Sequence, residues 1–249
     1  MKKLLLILIA LPMIGFGQEW TFGGTNIDVG YSVKQTNDGG YIIGGTTYSF
    51  GNGGSDVYLI KTDDNGIEQW SQTFGDVGSD LALDVQQTSD GGYIIVGKKE
   101  STITGYFDVY LIKTDDNGIE QWSQTFGDIN YDFIGRSLQQ TTDGGFIITG
   151  QATSGPFGPN HIVKSYLIKT DANGNEIWRN LFNDMIDACS VQQTTDGGYI
   201  LTGLTLTSGN SNFDVYLIKT DNNGAEQWNN NYGGADSDRG ESVQQTTDG

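Results

Sequence analysis

The sequence predicts an all-β fold assembled from one repeated unit, on three observations. Trp20, Trp70, Trp122, Trp178 and Trp228 recur at spacings of 50, 52, 56 and 50 residues. The turn sequence Asp-Gly-Gly begins at Asp38, Asp90, Asp143 and Asp196, and Asp248-Gly249 starts a further copy. Past the first residues, short blocks of aromatic and β-branched residues are bounded by Gly, Asn and Asp, with no helical period. A period near 50 means one supersecondary unit used several times, so architecture and function are both read per repeat.

Residues 1–17 read as an export signal. Lys2 and Lys3 precede an apolar run from Leu4 to Ile14, and Gly15-Phe16-Gly17 offers small residues where a signal peptidase reads. Cleavage is expected after Gly17. The run is too short to span a bilayer, and no later segment approaches the ~20 apolar residues required. No Cys follows it to carry a lipid. The expectation is a soluble chain, secreted or held at the cell surface, with no membrane span.

Each repeat reads as four strands. In the first unit, Ser32 to Thr36 is a short extended run, and Asn37-Asp38-Gly39-Gly40 is a tight turn. Tyr41-Ile42-Ile43 follows as a continuous apolar run, and a polar, glycine-rich loop leads to Asp56. Val57-Tyr58-Leu59-Ile60 is a third strand, and Asp63-Asp64-Asn65-Gly66 a second hairpin turn. The fourth strand, Ile67 to Phe74, places Trp70 and Phe74 on one face and Gln69, Ser71 and Thr73 on the other. Strands two and three are apolar on both faces, so both need covering; strand four alternates, as an outer strand should. A four-stranded meander sandwiched between copies of itself is a β-propeller blade.

Complete blades are placed at 31–75, 83–127, 136–182 and 189–234 within a repeat domain spanning 18–249. Residues 19–24 read as a lone fourth strand, suited to be the outer strand of the last blade, since propellers close by completing one blade from both chain ends. Residues 241–249 supply one more first strand and stop in its turn. The expectation is a C-terminally truncated chain, with about 30 further residues completing a five-bladed ring and a larger ring equally compatible.

The formal net charge is −18 and becomes more negative once Lys2 and Lys3 are removed. Nucleic acid is disfavoured as a partner, because phosphates require a basic footprint. Asp outnumbers Glu by 24 to 7, which reports turn content. Cys189 is the only cysteine, so no intrachain disulfide forms, and it reads as a partly buried thiol without chemistry.

The segment Leu59 to Trp70, repeated at 111–122, 167–178 and 217–228, resembles the pyrroloquinoline-quinone-type propeller repeat, in which an Asp-bearing turn with Gly precedes Trp by four residues. The turn is one residue shorter here, so the resemblance is to architecture and not to the quinone enzymes. The wider pattern, Gln-Thr-x-Asp-Gly-Gly-[Tyr/Phe]-Ile with Leu-Ile-Lys-Thr-Asp, is similar to repeats of secreted propeller-like proteins of Bacteroidota. That resemblance implies a surface or extracellular location; it implies no activity.

The long connections at 44–55, 97–107, 150–163 and 203–213 vary between repeats, whereas the short turns barely change. They are expected on one end of the molecule, as a binding face for protein or glycan. The loop from Ser154 to His161 holds the only histidine, which lacks a second ligand or acid partner. Calcium is the one cofactor considered. Asp63, Asp64, Asp115, Asp116 and Asp221 cluster oxygen ligands, but without alternating Asp-x-Asp-x-Asp spacing, and hairpin turns explain them without metal. No catalytic or cofactor-binding residue is predicted. Gln35, Gln87, Gln140, Gln193 and Gln245 are expected to tie strand to turn near the axis. The expected function is a non-catalytic binding or scaffold module. The alternatives are an extracellular polysaccharide hydrolase or lyase, using the blade-specific Arg136, His161, Lys164, Arg179 and Arg239, or a spacer in a large adhesin.

Overall fold

The computed structural model describes residues 19–154, 162–206 and 212–248. The export signal and cleavage site, with His161 and most of its loop, lie outside these residues. The described chain is all β. Blade one comprises β1 (Asp28–Gln35), β2 (Tyr41–Thr47), β3 (Asp56–Thr62) and β4 (Glu68–Phe74). Blade two comprises β5 (Asp80–Gln87), β6 (Tyr93–Glu100), β7 (Phe107–Thr114) and β8 (Glu120–Phe126). Blade three has β9 (Tyr131–Gln140), β10 (Phe146–Ser154), β11 (Ile162–Thr170) and β12 (Glu176–Phe182). Blade four has β13 (Asp187–Gln193), β14 (Tyr199–Leu206), β15 (Phe213–Thr220) and β16 (Glu226–Tyr232). Every sheet is an antiparallel meander in chain order. Among the described residues no helix is long and apolar enough to cross a membrane.

Three cores lie between successive blades, where apolar faces of neighbouring sheets meet. Ile42, Leu59 and Phe74 of blade one meet Val85, Tyr93 and Ile112 of blade two. Blades two and three join through Val96, Leu111, Leu138 and Phe146, and blades three and four through Ile147, Leu167, Val191 and Tyr199. Strand β3 is buried along its whole length, as its two-sided apolar pattern requires. The tryptophans act as latches. Trp70, Trp122 and Trp178 each stack edge-on against Tyr93, Phe146 and Tyr199 of the following blade, at centroid distances of 5.7, 5.9 and 5.9 Å. The arrangement is propeller-like, but blade four does not pack back onto blade one to close a ring.

Two expected strands are corrected. Residues 19–24 and 241–246 form no ladder. A strand needs a backbone partner, and among the described residues no strand runs alongside either segment to supply one.

Candidate functional site

The two ends of the molecule differ in kind. At one end lie the short turns, and there every repeat builds the same polar cluster. Lys61, Lys113, Lys169 and Lys219 are buried, yet each ammonium reaches a turn carboxylate: Asp38 at 2.8 Å, Asp90 at 3.0 Å, Asp143 at 3.0 Å and Asp196 at 2.8 Å. Each also donates to a threonine carbonyl, Thr62, Thr114, Thr170 or Thr220, at 2.7 or 2.8 Å. The lysine bond, with help from Thr36 Oγ1, holds the Asp38 carboxyl at about 2. At Asp143 burial pushes the carboxyl up, but bonds from Thr141 and Lys169 outweigh it and hold it at about 2.

The glutamines tie each strand to its turn, as Gln35 Nε2 does to the Gly39 carbonyl at 3.2 Å, and they also join blades. Gln87, Gln140, Gln193 and Gln245 accept the N–H of Asn37, Ser89, Thr142 and Thr195, one blade back, at 2.8, 2.8, 2.9 and 2.8 Å. The calcium candidates lie at this same end with backbone donors already in place. Asp63 Oδ1 accepts from Asn65 N and Ile67 N, Asp115 Oδ1 from Asn117 N and Ile119 N, and Asp221 Oδ1 from Asn223 N and Ala225 N. Asp64 and Asp116 accept from the neighbouring amides of Asn65 and Asn117. Among the described residues no three His, Cys, Asp or Glu side chains group as a metal site.

Of the blade-specific charges, the structure brings two together. Arg136 Nε lies 2.8 Å from Asp187 Oδ1, and Arg239 Nη2 lies 3.7 Å from Asp187 Oδ2. Asp28, Asp80 and Asp238 at equivalent places instead accept the N–H four residues back, from Gly24, Asp76 and Gly234. The loop before Asp187 is one residue shorter, so its carboxylate turns to the arginines. Cys189 sits beside this group, where burial and the Asp187 charge push its thiol up, away from the nucleophilic thiolate. Arg179 pairs with Glu176 at 2.7 Å, and Lys164 lies half-buried opposite Ala152. One acid escaped sequence reasoning. Asp84 stands where the other repeats have Ser32, Ser137, Ser190 and Ser242, and that departure was its signal. It accepts from Ser32 Oγ at 2.8 Å, Val85 N at 2.9 Å and Leu138 N at 3.2 Å, binding blade two to both neighbours.

The opposite end carries the long connections. A cleft of about 630 Å³ opens there between blades three and four, lined by Ile162, Val163, Asn183, Asp184, Ile186, Thr205, Leu206 and Phe213. Ile162 (43 %), Leu206 (54 %) and Phe213 (37 %) are exposed in it. Its walls are blade-specific only in part: Phe107 stands at the place of Phe213, and Asp76 and Asp128 at that of Asp184, whereas Ile162 and Leu206 recur in no other repeat.

No protein-family model matches the sequence, and no curated protein matches it. Among solved structures the chain is similar to a crystal structure of a protein of unknown function from Bacteroides caccae. The identity is 10 % and the TM-score 0.35, over 86 % of this chain and 85 % of that one. So distant a likeness carries no argument about activity.

Proposed function

We propose that this protein is an exported, non-catalytic binding module that presents its long-connection end to a protein or glycan partner. The observation that carries this reading is the cleft between blades three and four. It sets an apolar floor of Ile162, Ile186, Leu206 and Phe213 beside the polar Asn183 and Asp184. Exposed apolar side chains framed by polar ones suit a sugar ring or an apolar side chain of a partner. The other end offers no such variety, because each of its buried lysines pairs with a turn carboxylate in the same way in every repeat. Location outside the cell rests on the signal pattern of residues 1–17 and on the repeat resemblance.

Glycan arrays and protein pull-downs with the signal-free chain test the reading. A partner is expected whose affinity falls about tenfold or more on Phe213→Ala, as for an aromatic anchor, with the melting temperature nearly unchanged. Partners that bind Phe213→Ala as well as the parent, or none in either screen, overturn it.

A further inference from the structure

The joint between blades one and two holds two carboxylates that the chain leaves half satisfied. Asp56, at the start of β3, and Asp80, at the start of β5, are 1 % and 0 % exposed. Asp56 Oδ2 accepts from Asn52 N at 3.1 Å and Gly53 N at 3.2 Å, and Asp80 Oδ2 from Asp76 N at 2.9 Å. The Oδ1 atom of each is buried with no hydrogen-bond partner. A buried carboxylate oxygen without a donor is costly, so this pair calls for a counter-charge. Lys99 beside it does not supply that charge in full, because its ammonium lies 3.0 Å from a third carboxylate, Asp76.

Related acids elsewhere find their partners within the chain. Asp28 accepts from the hydroxyls of Thr47 and Ser49. Asp132 Oδ1 takes the N–H of Phe107 at 2.8 Å, and both it and Asp108 are only half-buried. At the joint between blades three and four the acid pair is broken, with Lys164 in the place of Asp56 and Asn183 in that of Gly75. There Asp187 meets Arg136 at 2.8 Å and Arg239 at 3.7 Å. Fixed cations thus serve the joint that lacks the pair, whereas the sealed pair keeps two oxygens without a partner.

Gly75 shapes the space between the two acids. A Cβ there would fall 2.5 Å from Asp80 Oδ2 and closer still to Asp56 Oδ1. One ion with calcium–oxygen bonds of about 2.3–2.6 Å therefore reaches both carboxylates. Further oxygens stand alongside: a Cβ on Gly53 would fall 2.5 Å from the Gly78 carbonyl and closer to that of Asp76. We propose that a calcium ion binds between Asp56 and Asp80, against Gly75, and ties blade one to blade two. Oxygen ligands alone suit a hard cation, and a buried site disfavours magnesium, which gives up its water reluctantly. The site lies at the long-connection end, away from Asp63, Asp115 and Asp221, whose Oδ1 atoms already accept backbone N–H groups.

The test titrates calcium chloride into the EDTA-treated chain by calorimetry and follows melting in parallel. The expected result is saturable binding, with the melting temperature raised by roughly 5 °C at a hundredfold excess over Kd. Magnesium chloride is expected to do much less. Asp56→Asn and Asp80→Asn should each weaken calcium binding at least tenfold. In EDTA both variants should melt at or above the temperature of the parent, because each removes a buried charge whose counter-ion is gone. Asp63→Asn, at the opposite end, should leave the calcium response unchanged. No calcium response, an equal response to magnesium, or a calcium response that survives both Asp56→Asn and Asp80→Asn overturns the proposal. So does a parent chain that ignores calcium and melts higher as the pH falls, since a shared proton would then neutralise the pair.

Discussion

The smallest unit that explains this molecule is the lysine buried under each short turn. Removing the carboxylate strands an ammonium in the interior, whereas removing the lysine leaves a half-exposed carboxylate that water can reach. Asp143→Ala is therefore expected to cost about 2 kcal/mol and more than Lys169→Met, by chemical denaturation. Asp38 and Asp143 hold at about 2 instead of the usual 3.8, so their contribution is complete above pH 4 and is lost as the pH falls toward 2. Melting curves should drop most steeply in that window, and Lys169→Met should flatten the drop. Asp84 behaves oppositely: burial raises its carboxyl, so it binds its proton more tightly in the fold and weakens the fold as pH climbs above the usual 3.8. Asp84→Ser, the residue of the other repeats, should raise the melting temperature by roughly 2–4 °C at pH 7 and by little near pH 4. That Lys and Asp recur in every unit was visible in the sequence, but nothing there joined Lys61 to Asp38 or its counterparts across the sheet. Nor was the burial of that lysine legible, because a charge beside apolar neighbours reads as a solvated face until a partner is placed beside it.

Strands two to four were legible because two-sided apolar runs and one alternating run admit few other readings. Less legible was how neighbours grip each other. Gly174 adopts φ 79° and presses against Trp122, with an added Cβ 2.5 Å from its ring, whereas Gly197 adopts φ 84° with nothing nearby. Alanine at Gly197 is expected to cost about 1 kcal/mol for the left-handed backbone alone. Alanine at Gly174 should cost clearly more and shift Trp122 emission to the red, because the latch is displaced as well. Equal losses would show that the tryptophan seat contributes nothing. The unpaired states of 19–24 and 241–246 could not be read from sequence, since ladder formation depends on neighbours and not on local pattern.

For the whole molecule, the repeat period carried the all-β, bladed architecture, and the variable connections 150–163 and 203–213 pointed to the end where the cleft opens, but not to the cleft itself. Its walls come from Ile162, Asp184 and Phe213, which are far apart in sequence and share no motif. A net charge of −18 spread over this surface opposes compaction, so added monovalent salt should raise the melting temperature through screening. A fall would mean that the Lys–Asp pairs outweigh the general repulsion.

The glutamine bonds run in one direction, with each blade offering a peptide N–H and its successor supplying the acceptor. A joint whose two halves are the same in every copy does not discriminate between neighbours. Gene duplication can then lengthen such an array without inventing a new contact, and residues 56–76 and 108–128, identical throughout, bear the mark of that growth.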